Sequence, residues 1–112
     1  MSGDANSQKF ARMFREAREM FEQKRWPEMN QKLVDVMIDM AFTPQIDNLR
    51  DVADAFEALG ALLDKSDERV CRRWRDVAHS FFRLADRSGS RGLDEHETRR
   101  IARMLELHNA NK

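Results

Sequence analysis

The chain has one cysteine (Cys71), two prolines and four glycines in 112 residues. A single cysteine excludes an internal disulfide framework and fits a reducing compartment. So few prolines and glycines leave little material for the many turns of an all-β fold. Basic and acidic side chains balance, 20 against 20, and the formal net charge is zero. That removes the electrostatic case for nucleic acid or an anionic membrane as partner. No apolar run approaches the ~20 residues of a membrane span, so no membrane insertion is expected. Residues 1–9 lack the apolar stretch of a signal peptide, and Ser2 rather than Gly follows Met1, so the myristoylation signal is missing too. The expected location is cytoplasmic, or a cytosol-facing structure.

Catalytic patterns are missing as well. There is no zinc-ligand spacing and no phosphate-binding glycine loop. No serine, cysteine or paired-carboxylate arrangement reads as a reaction centre. The histidines are His79, His96 and His108. Cys71 and His79 fall on one helical pattern, too far apart to share a metal. An enzyme is not expected.

What is present is helical periodicity, with 41% hydrophobic and 36% charged residues. Residues 1–6 are small and polar and read as a disordered arm. Phe10, Met13, Phe14, Ala17, Met20 and Phe21 form an apolar stripe over about residues 7–24. Pro27 suits the first turn of a second helix, which carries Met29, Leu33, Val36, Met37 and Met40. Thr43-Pro44 predicts a third helix over 45–64, with Ile46, Leu49, Val52, Ala53, Phe56, Leu59 and Leu63 inward and Gly60 a weak point. Ser66, followed by Asp67 and Glu68, predicts the cap of a fourth helix burying Val70, Trp74, Val77, Ala78, Phe81 and Leu84. A fifth spans about Asp94 to His108, with Ile101, Met104 and Leu105 inward, and 109–112 is a polar tail. One helical domain is expected over 7–108, all-α, with five helices.

Between the fourth and fifth patterns lies Asp-Arg-Ser-Gly-Ser-Arg-Gly-Leu-Asp-Glu-His-Glu, residues 86–97. It places Asp86, Ser88, Ser90, Gly92, Asp94 and Glu97 at loop positions 1, 3, 5, 7, 9 and 12, the ligand spacing of a helix–loop–helix calcium site. With Phe82 before it and Ile101 and Met104 after it, the stretch resembles the EF-hand family. The resemblance implies calcium as cofactor, with those six residues as ligands, Gly92 through its carbonyl and Glu97 bidentate. Arg91 stands where the family has Gly, and neutral serines occupy positions 3 and 5, both of which weaken such a site.

EF-hands pack in pairs, so the resemblance also implies a degenerate N-terminal hand over Glu19 to Asn30. Leu93 and Trp26 would form a short β-bridge between the two loops, and the third helix would join the two units. The function implied is a non-enzymatic adaptor that takes a partner protein's amphipathic helix into an apolar groove. Candidate groove residues are Met20, Trp26, Met37, Met40 and Met104, because methionine-rich faces adapt to varied partners. Self-association is left open. The rival reading is a tetratricopeptide-like or plain helical bundle, an adaptor with no metal site. Its support is the likeness of Phe14–Phe21 to Leu49–Phe56, offset by 35 residues.

Overall fold

A computed structural model describes residues 2–89 and 93–110, and every regular element among them is an α-helix. The order is α1 Ser2–Glu22, α2 Trp26–Ala41, α3 Arg50–Leu63, α4 Trp74–Ser88 and α5 Glu95–Ala110. The all-α, five-helix expectation holds. α1 takes in residues 2–6, read above as a polar arm. Ser90, Arg91 and Gly92, and the side chains of Leu105 and His108, lie outside the described residues.

The first helix stops at a left-handed turn. Lys24 has φ 59°, and the Arg25 N–H donates to Met20 O at 2.9 Å while the Lys24 N–H donates to Phe21 O at 3.0 Å. That is the paired bonding of a Schellman cap, which satisfies the last carbonyls of α1. Pro27 follows in the first turn of α2, where a missing N–H is harmless. Residues 19–30 are therefore a helix end, a tight turn and a helix start, rather than a long loop.

The third and fourth helices begin later than their cap-like residues predict. The Thr43 hydroxyl donates back to Asp39 O at 2.7 Å, so it closes α2 instead of opening α3. Arg87, from the last turn of α4, fixes the segment that follows. Its Nη2 donates to Met40 O (3.0 Å) and Thr43 O (2.9 Å), and its Nε to Pro44 O (3.1 Å). Ile46 and Leu49 are buried, as their pattern requires, but on a non-helical strap leading to Arg50. Similarly, Ser66 Oγ donates to Leu62 O at 2.9 Å, and Asp67 Oδ1 accepts the Arg69 N–H at 2.7 Å. These side chains serve turns, the competing use of Ser and Asp near backbone. Val70 lies in that turn segment, where its carbonyl accepts from Asn30 Nδ2 at 2.8 Å. Asn30 is buried, and it also donates to Trp26 O at 2.9 Å.

α1 packs on α2 and α3, and α2 packs on α4. Phe56 of α3 is the aromatic hub. Its ring stacks on Phe81 (centroids 4.2 Å apart) and Trp74 (4.8 Å), and meets Phe14 (5.7 Å) and Phe82 (5.6 Å) edge-on. Burying one such ring contributes about 1.5–3 kcal/mol. Each offset or edge contact adds about 0.5–1.5 kcal/mol.

Candidate functional site

The structure gives the residues of the 86–97 stretch separate tasks. α4 runs through Asp86 to Ser88, and Gly89 caps it with φ 61° and ψ 38°, a left-handed conformation that suits glycine. Asp86 is exposed on the last turn of α4. Ser88 is only 1% exposed, and its Oγ accepts the Ile46 N–H at 3.0 Å. Asp94 and Glu97 cap α5 reciprocally. Asp94 Oδ1 accepts the Glu97 N–H at 2.7 Å, and Glu97 Oε1 accepts the Asp94 N–H at 3.2 Å, the pattern of a capping box. The hydrogen bond from the Glu97 N–H is the main reason the Asp94 carboxyl sits below the usual aspartate range.

Glu97 also binds α3. Arg50 Nε donates to its Oε2 and Arg50 Nη2 to its Oε1, both at 3.1 Å. As placed, Ser88 is turned to the Ile46 amide and Glu97 is taken by a guanidinium, while Ser90 and Gly92 lie outside the described residues. Among the described residues no three His, Cys, Asp or Glu side chains are grouped to hold a metal. Nor do Leu93 and Trp26 form a β-bridge.

The concave feature that does form is a groove of about 750 Å³ along α3, the 64–73 turns and α4. Its apolar lining comes from Phe56, Leu63, Trp74, Ala78, Phe82 and, from α5, Met104. Glu57, Asp64, Glu68 and Asp76 bring negative charge to it, and Arg72 and Arg75 positive. Trp74 is held in place by stacking on Phe56 and by donating its indole N–H to Asp64 Oδ1 at 3.0 Å. Gly60, which the sequence marks only as a weak point in α3, lies against that indole. A Cβ there would come 3.0 Å from Trp74 Cζ2. The glycine lets the ring lie close on the helix. Cys71 lines the groove too, its Sγ 3.4 Å from Leu63 O. Burial, then the nearby Asp64 charge, push its thiol pKa up, so it stays protonated at neutral pH.

The five candidate groove residues do not share one surface. Met104 lines the groove just described. Met40 is fully buried in the core. Met20 and Met37 pack partly buried against that core, and Trp26 lies on Phe21 (5.3 Å) at the α1–α2 corner. Among the described residues, the large apolar side chains left in water are Phe42 (84% exposed) and Ile38 (45%), at the C-terminal end of α2 and outside the groove. Gly60, Trp74 and Arg87 are the residues whose roles the pattern alone did not reveal. The one sequence signal was a glycine inside an otherwise strong helical stripe, which marks close packing as readily as weakness. Comparison with protein-family models, with curated proteins and with solved structures finds no match for this chain.

Proposed function

We propose that this chain is a non-enzymatic interaction module that takes an amphipathic helix of a partner protein into the α3/α4 groove. The observation that carries this reading is Met104. This methionine of α5 lines the groove together with Phe56, Trp74 and Phe82, so the groove offers an adaptable apolar surface drawn from three helices. The groove is open and lined by apolar side chains together with charges of both signs, a composition that suits a helix-in-groove site. A reducing, cytoplasmic setting suits the free cysteine in its lining. The reading does not depend on a metal in the 86–97 stretch.

Ala61 is an exposed groove-lining residue on α3. Titration of the full chain with amphipathic helical peptides carrying Leu or Met at i, i+3 and i+7 is the test. Binding is expected at micromolar strength, and Ala61→Glu should weaken it at least ~10-fold by placing an unpaired charge against apolar surface. Equal binding by the variant would place the site elsewhere.

A further inference from the structure

We infer that α5 is a releasable strap on α3 beside this groove, and that its release opens its own seat to a partner helix of the order Glu-x-x-Arg-Ile-x-x-Met. This rests on the groove reading above and names both its regulation and the pattern of its partner. Among the described residues the most extensive helix packing is that of α1 on α2 and α3 and of α2 on α4. One described side chain of α5, Ile101, is buried in the core, and Met104 is partly buried against it.

Ion pairs to α3 add to these apolar contacts. Arg50 of α3 holds Glu97. One turn further along both helices, Arg100 reaches Asp54 (Nη2–Oδ1, 2.9 Å) and Glu57 (Nε–Oε2, 3.1 Å). The second contact is charge attraction without an aligned hydrogen bond. The order of charges on α3, one cation and then two anions, matches the order on α5, one anion and then one cation. It seats the helix parallel to α3. The Arg50, Asp54 and Glu57 side chains are 53%, 57% and 43% exposed while Glu97 and Arg100 are 14% and 30% exposed, so salt screens these pairs in part. A helix from another protein with the same order meets the same charges, the Ile101 seat and the Met104 end of the groove.

The experiment uses the full chain, with a synthetic peptide of residues 93–110 as probe. Ile101→Glu ejects the chain's own α5. Arg100→Glu is the second variant, which loosens α5 and leaves the buried core untouched. Helix content by circular dichroism checks that both are folded. Because the tethered α5 acts at an effective concentration on the order of millimolar, the peptide should bind either variant at least ~10-fold tighter than it binds wild type. That affinity should fall as salt rises from roughly 50 to 500 mM. A peptide carrying the Ile101→Glu change should not bind. Equal binding by wild type and both variants, or no binding by a folded Arg100→Glu chain, would overturn the proposal. Binding that is lost with Asp54→Lys but leaves the Trp74 indole signal unmoved would keep the strap and sink the groove reading.

Discussion

Ser88 and Lys24 each occupy a position where the local chemistry suggests one use and the fold makes another. Ser88 reads as a loop oxygen suited to a cation. In the folded chain it lies on the last turn of α4, buried, and is the acceptor for the Ile46 amide on a segment with no helix or sheet of its own. Nothing in the residues near Ser88 could reveal that, because Ile46 is distant in sequence. Ser88→Ala leaves a buried N–H unpaired and should destabilise the protein by about 1–3 kcal/mol in urea unfolding. Lys24 takes a left-handed backbone that costs a non-glycine residue about 1–2 kcal/mol. Lys24→Gly should raise stability by about 0.5–1 kcal/mol once the extra freedom of glycine in the unfolded chain is subtracted. A lower midpoint in the same assay would show that the lysine side chain contributes something the backbone geometry does not capture.

At the scale of elements, helix count and inward faces were legible, and boundaries were less so. The stripes through Phe10–Ala17, Met29–Met40 and Val52–Leu63 are buried as their spacing demands. The start of α3 was misplaced because Ile46 and Leu49 are buried whether or not their backbone is helical, so periodicity could not separate the cases. The start of α4 was misplaced because Ser66 and Asp67 serve turns as readily as caps. In the 86–97 stretch, Asp94 and Glu97 have structural tasks among the described residues. Its acids cap α5 and pair with Arg50, which makes Glu97 a docking residue for that helix. Glu97→Gln should therefore lower the melting temperature by a few degrees with no calcium present, and the loss should shrink in high salt. If Glu97 instead matters as a calcium ligand, wild type and variant will melt together in chelator and separate only when calcium is added. The Asp94 cap adds a pH dependence of known sign. Its carboxyl is held below the usual range, so its contribution is present above the ordinary aspartate pKa near 3.8 and is lost as pH falls through the lowered value. α5 amides should lose hydrogen-exchange protection in that acid range before those of α1–α4, and simultaneous loss would contradict the capping role.

The whole molecule gathers around Phe56, with the fifth helix joined to α3 by ion pairs and to the core by Ile101, and with a groove along α3 and α4 that the fifth helix helps to line. Aromatic residues that read as core in the sequence turn out to serve two ends. Trp74 packs on Phe56 and also lines the groove, its indole N–H bonded to Asp64. The other tryptophan, Trp26, lies on Phe21 at the α1–α2 corner and is not among the residues that line the groove. The two indole N–H resonances are therefore a built-in reporter and control. In a ¹⁵N–¹H spectrum of the full chain titrated with an amphipathic helical peptide, the Trp74 indole signal should move to saturation while that of Trp26 stays in place. Movement of the Trp26 signal with Trp74 unchanged would contradict the account, because the partner surface would then be the α1–α2 corner that holds Met20 and Trp26.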